Sequence, residues 1–257
     1  MLSEREIERY SRQLVLPEWS GQTQERLRGA SAIVIGAGAL GSPAATYLAC
    51  AGVGRIGVVD GELVDMSNLQ RQPLHFTPDV DAQKAESAAQ KLGVLNTEIT
   101  VEPYPVELDE QNAEALVAGA DVVLDCSDSF ETRYLVNEAC CAQGVPLVEA
   151  GVLGFSGMVM AIRPGETACY RCAFPQAPPA GSVPSCREAG ILGAVAGVLG
   201  SLQALEALKL LSGAGDKPGD VILQFDGLTL TQTLVRTSRR EGCTACARVP
   251  APSQSTA

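Results

Sequence analysis

Apolar runs alternate with segments of helical periodicity through the first 150 residues. No charged residue interrupts the runs, which lie at Ala32–Ile35, Ile56–Val59, Ile99–Val101, Val122–Leu124 and Leu147–Val148. Apolar positions recur at helical spacing between them, in Ala82–Leu92, Asp109–Val117 and Glu131–Ala142. Strands that are apolar on both faces are typical of a parallel sheet that helices cover on both sides. The pattern predicts an α/β fold with a mostly parallel sheet and helices on both faces.

The pattern changes at both ends of this region. Near the N-terminus, Ser3 precedes Glu6 by three positions, which indicates a helix start within Leu2–Leu16. After Gly151 the chain becomes rich in Cys and Pro, and its remaining predicted elements are a strand at Phe155–Arg163, an apolar helix from about Gly190 to Leu211, and strands at Val221–Phe225 and Gln232–Val235. The last residues, Ala247–Ala257, are rich in Pro, Ser and Ala and are predicted to be disordered.

Charge and composition exclude several classes of protein. The chain has 257 residues, with 19 Lys and Arg against 30 Asp and Glu, for a net charge of −11. This acidic balance argues against a general nucleic-acid-binding surface. The uncharged and strongly apolar stretch Ala189–Leu205 contains Ser201 and Gln203, so we expect a buried helix there rather than a membrane span. Residues Met1–Glu8 do not have the pattern of a signal peptide. With nine cysteines, an odd number, the chain is expected to be cytoplasmic.

A glycine motif follows the first apolar run. Gly36, Gly38 and Gly41 have the GxGxxG spacing and lie between a predicted strand and a predicted helix. Such a loop presents backbone N–H groups and a helix N-terminus to a phosphate. Asp60 follows 19 residues after Gly41, at the end of the second strand, where a carboxylate can accept ribose hydroxyls. The motif predicts a Rossmann-like sheet that binds an adenine nucleotide, without deciding which.

Basic residues after the second strand favour a triphosphate over a nicotinamide cofactor. Arg71 and Lys84 could stabilise the charge that builds on a departing pyrophosphate. Asp128 follows a buried strand, where its carboxylate could hold Mg²⁺. An oxidoreductase would need a proton relay in its second half, and the chain has one histidine, His75, which is more typical of a structural or surface position.

Two CxxC pairs indicate a metal site. The pairs Cys169–Cys172 and Cys243–Cys246 can supply the four sulfurs of a closed, structural zinc site. A redox-active CxxC is the alternative, but neither pair has the βαβ context of a thioredoxin-like motif. We expect three segments: an N-terminal helical arm (1–28), a main domain (29–246) and the tail (247–257). The main domain divides into a nucleotide-binding part (29–152) and a zinc and crossover-loop part (153–246).

The remaining cysteines divide into one reactive candidate and four core residues. Cys186 ends a Pro-rich segment that reads as a surface loop, next to Arg187 and a predicted helix start near Glu188. A thiol in that setting should have a depressed pKa and be nucleophilic, although an incidental cysteine is an alternative. The other four lie on apolar elements and are expected in the core: Cys50, Cys126, Cys140 and Cys141.

Five sequence strings together resemble the MoeB/ThiF family, the bacterial relatives of ubiquitin-activating enzymes. They are GAGALG (36–41), SNLQRQ (67–72), LDCSD (124–128), CYRC (169–172) and CREAGILGAVAGVLGSLQALEALK (186–209), and the likeness runs from Arg9 to Cys246. It implies an adenylyltransferase that uses ATP and Mg²⁺ to activate the C-terminal glycine of a small ubiquitin-like sulfur carrier (ThiS/MoaD-like). It further implies release of pyrophosphate and later sulfur transfer, for thiamin, molybdopterin, tRNA thiolation or cysteine pathways.

The resemblance also implies residue roles. Gly38 and Gly41 would form the phosphate loop and Asp60 would bind ribose. The phosphates would contact Asn68, Arg71 and Lys84, and Asp128 would serve the metal. Arg12 would reach the partner's ATP in a homodimer. The zinc ligands would be the four paired cysteines, and Cys186 would occupy a position that links covalently to the carrier in some members.

The sequence departs from the family pattern at two positions, and two alternative functions are open. Asp81 stands where the family often has Gly, and Ser129 where it often has Asn; we expect Asp81 to face solvent at the helix start. No rhodanese-like segment follows Cys246, so we expect a separate sulfur donor, such as a cysteine desulfurase or rhodanese. A non-catalytic carrier-binding relative and an NAD-linked oxidoreductase are the alternative functions.

Overall fold

One sheet carries eight strands that are covered by ten helices in the described residues. The structure is a computed structural model that describes residues 1–179, 181–182, 186–215 and 219–247, without the side chains of 186 and 187. The strands are β1 (Ser31–Ile35), β2 (Arg55–Val59), β3 (Thr100–Tyr104), β4 (Val122–Asp125), β5 (Leu147–Leu153), β6 (Ser156–Ile162), β7 (Val221–Asp226) and β8 (Thr231–Arg236). The predicted disordered tail lies outside the described residues except for Ala247.

The helices divide into an N-terminal group, the sheet-covering helices and a short pair near the Cys-rich segment. They are α1 (Glu4–Arg9), α2 (Ser11–Leu14), α3 (Gly21–Gly29), α4 (Gly41–Ala51), α5 (Lys84–Leu95), α6 (Ala113–Val117), α7 (Phe130–Gln143), α8 (Tyr170–Ala173), α9 (Cys186–Ala189) and α10 (Gly193–Ser212). Ser3 caps α1, and its hydroxyl and the Glu6 carboxylate form the predicted capping box.

Strand order confirms the predicted fold class. The order is β3-β2-β1-β4-β5-β6-β7-β8; neighbours are parallel from β3 through β5 and antiparallel from β5 through β8. The chain therefore adds an antiparallel extension to a Rossmann-like parallel half. In such a half, ligands bind outside the carboxyl ends of the strands, where the order reverses. Here that point lies between β1 and β4.

Both faces of β1, β2 and β4 are almost wholly buried, which is why these strands have no polar alternation, whereas the edge strand β3 is partly exposed. Ala32 and Val34 of β1 face one apolar layer, which α4, α5 and α10 cover, whereas Ile33 and Ile35 face the other, which α7 covers. Every residue of β1 is buried. Each fully buried side chain of this kind contributes about 1.5–3 kcal/mol to the free energy of unfolding.

Two helices begin later in the structure than the sequence predicts. The helix predicted from about Gly190 begins three residues later, as α10, because Gly190 has a φ of +76° and the next residue, Ile191, pairs with Gly154. The predicted helix at 109–117 begins only at Ala113. Its first residues form a turn in which the Asp109 carboxylate accepts the backbone N–H groups of residues 111 and 112.

The prediction of Cys50 as a core residue is wrong. Helix α4 buries Ala44, Ala45 and Leu48 against the sheet. With 3.6 residues per turn, the opposite face carries Tyr47 and Cys50, and both are exposed. The other three cysteines predicted in the core, Cys126, Cys140 and Cys141, are buried.

The apolar helix α10 covers the sheet. Among the described residues it is the one helix long and apolar enough to cross a membrane, with 39% of its most apolar window buried. It packs against α4, β5 and β6. Its fully buried Gln203 donates to the carbonyl oxygens of Asp125 (2.7 Å) and Val148 (2.8 Å), which fixes the helix across the ends of β4 and β5. These contacts are those of a core helix.

Candidate active site

The glycine loop connects β1 to α4 and leaves one side open. Gly36 has a φ of +92°, a conformation that favours glycine. A Cβ at Gly41 would overlap the carbonyl oxygen of Gly36, so the close turn excludes a side chain there. At Gly38, by contrast, an added Cβ would meet only the amide nitrogen of Gln72, at 3.6 Å. Gly38 is therefore the point where a phosphate can approach the backbone.

Asp60 ends β2 beside this loop. Its Oδ2 accepts the backbone N–H of Ala37 (2.8 Å), and its Oδ1 accepts that of Glu62 (2.9 Å). Burial raises the pKa of Asp60, although the nearby charge of Lys84 and the two N–H donors oppose that rise. Each carboxylate oxygen has a second acceptor site. Asp60 can thus organise the glycine loop and still accept a ribose hydroxyl.

Lys84 is held at the same edge by a short antiparallel pairing. Its backbone N–H donates to the carbonyl of Glu62 (2.9 Å), and the N–H of Val64 donates to Ala82 (2.8 Å). The Lys84 side chain is only 4% exposed, and its ammonium pairs with the Glu62 carboxylate, which is 73% exposed. The cation is buried while its counter-ion reaches solvent. An incoming phosphate can therefore compete for this ammonium group.

Arg71 and Asn68 lie on a tight turn after β2. The backbone N–H groups of Arg71 and Gln72 donate to the Asn68 carbonyl (3.0 and 3.1 Å), and the guanidinium Nη1 of Arg71 donates to the Ser67 carbonyl (2.9 Å). Gly193, at the start of α10, packs so closely that an added Cβ would lie 2.6 Å from the Gln70 carbonyl. Helix α10 thereby supports this turn.

Asp128 lies at the carboxyl end of the adjacent strand, β4. The loop that carries it contacts the glycine loop, since a Cβ at Gly36 would lie 3.0 Å from the Cys126 carbonyl. Asp128 is exposed and borders an open cavity of about 960 Å³. The next residue, Ser129, caps α7 by accepting the N–H of Thr132 (3.0 Å). Ser and Asn are about equally good at an N-cap, so this departure from the family pattern preserves the cap.

The cavity leads from Asp128 across the antiparallel part of the sheet. The residues around it belong to the start of α7, to the four strands β5–β8 and to the Cys-rich region; among them are Arg133, Gly151, Gly157, Phe174, Gln224 and Thr231. Two of these positions are glycines at which an added Cβ would overlap a neighbouring side chain, Arg133 at Gly151 and Leu199 at Gly157. The shape and position suit an extended chain end that approaches the nucleotide edge.

A buried acid pair and an arginine lie next to this cavity, and sequence reasoning missed two of the three, Arg133 and Glu149. Asp125 and Glu149 are register partners on β4 and β5, and both are fully buried. The Arg133 Nε lies 3.4 Å from the Glu149 Oε1. Asp125 belongs to the LDCSD string, whereas no motif marks the other two; Glu149 is an acid inside the otherwise apolar run LVEAGV, and that anomaly was an available signal.

The single histidine supports the glycine loop. His75 is buried, with Nε2 at 2.9 Å from the Ala37 carbonyl and Nδ1 at 2.9 Å from the Ser87 hydroxyl. A carbonyl can only accept, so Nε2 carries the proton and Nδ1 accepts from the serine. Burial lowers the pKa of His75, which favours this neutral form. His75 is thus in a structural position.

The four paired cysteines form one buried cluster. Their sulfur atoms all lie within 4.8 Å of one another. The separations are 3.8 Å for Cys169–Cys172, 3.7 Å for Cys169–Cys243 and 3.4 Å for Cys172–Cys246. Burial acts to raise the pKa of Cys243, but hydrogen bonds from the backbone at residues 246 and 245 outweigh it and lower the pKa to about 7. The donor set fits a tetrahedral Zn²⁺ and would join the segments that follow β6 and β8.

Of the remaining predicted site residues, Arg12 is not brought to the glycine loop of its own chain, and Cys186 has no described side chain. Arg12 lies exposed on α2, whose Gln13 donates to the carbonyl of Ala51 (3.3 Å) at the far end of α4. Because α4 has 11 residues, its ends are about 16 Å apart. Cys186 begins α9, and its side chain lies outside the described residues.

Asp81 faces solvent as expected, but its backbone explains why glycine is common there. It lies three residues before α5, outside the helix, with a φ of +71°. We predict that Asp81→Gly raises the free energy of unfolding by about 0.5–1 kcal/mol, because glycine adopts this conformation without steric cost. Denaturant unfolding measures the change. Asp81→Ala, which removes the carboxylate but keeps the strain, should be less stable than wild type. If both variants changed the free energy of unfolding equally, the loss of the carboxylate, and not the backbone conformation, would account for the change.

The fold, the glycine loop and the cysteine cluster define an α/β protein of the nucleotide-binding class, with four paired cysteines that could hold a metal ion. The chain belongs to the ThiF family, whose pattern matches residues 10–245. It is 48% identical over 250 residues to the adenylyltransferase and sulfurtransferase MOCS3 of Sus scrofa, covering 97% of this chain and 55% of that protein. The chain spans about half the length of the MOCS3 proteins it matches.

One further relative agrees with this family, and one solved structure shares the fold. The sulfur carrier protein adenylyltransferase of Thermus thermophilus is 44% identical over 250 residues, covering 95% of this chain and 92% of that protein. Among solved structures, E. coli MccB with ATP aligns with a TM-score of 0.81 over 93% of this chain and 73% of that chain. At 22% identity the latter likeness concerns the fold.

Proposed function

We propose that this protein is an ATP-dependent adenylyltransferase that activates the C-terminal glycine of a small ubiquitin-like sulfur carrier. The observation that carries the proposal is the buried Lys84 ammonium beside Asp60 at the edge that also holds the open glycine loop. A cavity suited to an extended tail reaches this edge at Asp128. Relatives at 44–48% identity are named adenylyltransferases.

The proposed roles follow from charge and position. The loop from Gly36 to Gly41 receives phosphates through its N–H groups, and Asp60 accepts ribose hydroxyls. Lys84 and Arg71, with the amide of Asn68, stabilise negative charge on the phosphates as pyrophosphate departs. The exposed carboxylate of Asp128 would hold Mg²⁺, since Mg²⁺ commonly uses one or two carboxylates, and the ion would supply further positive charge against the phosphates.

The nucleophile requires no general base. A carboxylate is ionised at neutral pH and can attack the α-phosphorus directly, giving a carrier acyl-adenylate and pyrophosphate. Catalysis then depends on positioning and on charge stabilisation. That is consistent with a chain whose one histidine, His75, is committed to Ala37 and Ser87.

The test is carrier-dependent exchange of labelled pyrophosphate into ATP. A panel of small carriers ending in Gly-Gly would be compared with versions that lack the last glycine. Exchange only with intact tails supports the function and identifies the substrate. ATP binding without exchange for any carrier would contradict it and favour a non-catalytic carrier-binding role, and tighter binding of NAD(H) than of ATP would favour an oxidoreductase.

We further propose a homodimer that joins the outer faces of α4 and α10. An open apolar groove runs between these helices, lined by Pro43, Tyr47, Ala194, Gly197, Val198, Ser201, Leu202 and Leu205. Arg12, on α2, lies near the end of α4 that is remote from the glycine loop of the same chain. It could therefore serve the partner's ATP. Sedimentation of wild type and Val198→Glu should show a dimer and a monomer; a monomeric wild type would contradict this.

The cysteine cluster is proposed to hold a structural Zn²⁺. A closed Cys₄ site has no position for water, so zinc would stabilise the fold and take no part in the reaction. Sulfur would then be supplied by a separate protein, such as a cysteine desulfurase or a rhodanese. Unpaired thiols in the described cysteines agree with a reducing, cytoplasmic location. The helical arm, main domain and tail remain the proposed division of the chain.

Cys186 is proposed to form a thiol-sensitive link with the carrier after adenylation: its thiolate attacks the carbonyl carbon of the acyl-adenylate, AMP leaves, and the resulting thioester is one that other thiols cleave. We predict that Cys186→Ser keeps pyrophosphate exchange within about twofold of wild type but yields no conjugate that thiols cleave. Gel analysis with and without reductant measures the conjugate, and Cys50→Ser, at an exposed cysteine on α4, is the matched control. An unchanged conjugate in Cys186→Ser would show that this residue is dispensable.

A further inference from the structure

The residue before Asp128 is held through both of its backbone groups. Asp125, the last residue of β4, accepts the backbone N–H of Ser127 on its Oδ1 (2.9 Å). Arg133, in the first turn of α7, donates from Nη2 to the Ser127 carbonyl (3.2 Å). Two side chains from different elements therefore fix the peptide that leads into Asp128.

The residue after Asp128 is fixed as well. Ser129 caps α7 through its hydroxyl, and its carbonyl accepts the backbone N–H of Arg133 (3.2 Å). The Asp128 side chain itself is exposed, and it makes no hydrogen bond or ion pair with any residue that the structure describes. The place of this carboxylate at the nucleotide edge thus depends on the backbone of its two neighbours.

A buried acid pair holds Arg133 where it reaches Ser127. The Arg133 Nε lies 3.4 Å from the Oε1 of Glu149, which is fully buried on β5 opposite Asp125. Burial, followed by the charge of Asp125, raises the pKa of Glu149 well above its usual range, and Arg133 opposes this rise. A proton retained on Glu149 leaves the pair with one negative charge, which the one positive charge of Arg133 balances.

Gly151 leaves room for the guanidinium group in this position. It lies on β5, and an added Cβ there would be 2.6 Å from Nη1 and 3.1 Å from Nη2 of Arg133. The guanidinium carbon also lies 5.6 Å from the centre of the Phe130 ring. With Glu149 near Nε, these contacts fix the plane of the group and direct Nη2 to the Ser127 carbonyl.

We propose that Arg133 is a positioning residue, which holds the Asp128 carboxylate in place for Mg²⁺ through the backbone of Ser127. Asp125 would share this task at the Ser127 N–H, and Glu149 would hold Arg133. The proposal rests on the proposed function for the metal and the nucleotide at this edge, and it assigns a role to residues that would touch neither. An exposed carboxylate fits this metal, which binds oxygen ligands.

The effect of Mg²⁺ on nucleotide binding tests this proposal without requiring catalysis. Calorimetry on the full chain measures the Kd of α,β-methylene-ATP, whose α–β bridge the reaction cannot cleave, with and without Mg²⁺. The magnesium ratio, the Kd without Mg²⁺ divided by the Kd with it, should be about ten in wild type, within the usual range for coupling between two bound ligands. Asp128→Asn should lower it to about two, because the amide lacks the charge that Mg²⁺ prefers. A wild-type ratio of one would overturn the proposal.

Two variants displace the guanidinium group without changing the charge. Arg133→Lys keeps a cation beside Glu149 but loses the second nitrogen that reaches Ser127. Gly151→Ala places a Cβ where the guanidinium group lies, so the flexible end of the arginine must move. In both variants the magnesium ratio should fall by about threefold, the scale of one hydrogen bond, while the Kd without Mg²⁺ stays within about twofold of wild type.

A merely structural Arg133 predicts a different result. Tm would then fall in both variants while the magnesium ratio kept its wild-type value, and the proposal would be wrong. Arg55→Lys is the matched control, since Arg55 pairs with Glu102 at the opposite end of β2 (3.5 Å), and it should leave the ratio unchanged. Because Arg133 acts through Asp128, Arg133→Lys combined with Asp128→Asn should have the ratio of Asp128→Asn alone, and a further loss would contradict the proposal.

Pyrophosphate exchange on the same proteins separates this proposal from the proposed function. If the magnesium ratios behave as expected but no carrier supports exchange by wild type, the positioning role of Arg133 stands and the proposed adenylation fails. If wild type exchanges and Arg133→Lys has the wild-type ratio, adenylation stands and the positioning role is wrong.

Discussion

Lys84→Met is expected to lower carrier-dependent pyrophosphate exchange by about 10³-fold. Removal of one preorganised group that stabilises transition-state charge costs about 10²–10³ in rate, and Lys84 acts from a nearly dry position. Its side chain is 4% exposed, so its charge is less screened than that of a surface lysine. Methionine has a similar length and no charge, and Glu62 can remain solvated, so the fold should survive. Exchange at saturating carrier measures the effect.

The control for this prediction lies on the same helix. Lys91 also belongs to α5, where it pairs with Asp79 and lies 5.3 Å above the Phe76 ring. Lys91→Met should reduce stability slightly and leave exchange within about threefold of wild type. If Lys84→Met were as active as Lys91→Met, the buried ammonium group would not contact the phosphates, and the proposed reaction at this edge would lose its main support.

The second large effect is expected at the cysteine cluster. We predict that the purified chain contains about one Zn²⁺ and that Cys172→Ser contains less than about a tenth of that. Loss of the metal removes the connection between segments separated by 70 residues and leaves three thiols in a buried site. Because 1 kcal/mol shifts Tm by about 2–4 °C in a domain of this size, a loss of several kcal/mol should lower Tm by at least about 10 °C.

Measurements of zinc content and of Tm test this prediction together. Cys172 also accepts the backbone N–H of Arg240 (3.3 Å), so its sulfur orders the segment before the second CxxC pair. The exposed Cys50 supplies the control: Cys50→Ser should keep both the metal and the Tm. A wild-type chain that binds no zinc after purification without chelators, or a Cys172→Ser variant with unchanged Tm, would contradict a structural metal.

Short-range sequence patterns were sufficient to predict the fold class and much of the candidate site. The uninterrupted apolar runs identified the parallel half because a strand covered on both faces has no place for a charged residue. The glycine motif and the CxxC pairs were recognisable because their chemistry requires fixed spacings along the chain. Helix boundaries were less well predicted, since Gly190 adopts a positive φ and Asp109 forms a turn.

Contacts between distant segments were decided by the tertiary structure. The sheet places β4 and β5 in register, which brings Asp125 opposite Glu149 and Arg133 beneath the cavity. The outward position of Cys50 depends on which face of α4 the sheet and α10 cover.

The sequence by itself thus determined the class of fold, the nucleotide motif and the four paired cysteines. The tertiary structure decided that Glu62 holds Lys84, that Asp60 supports the glycine loop and that Arg133 packs against Gly151. The physical reason is that spacing along one segment limits local geometry, whereas burial, charge pairing and access depend on neighbours that strand order brings together.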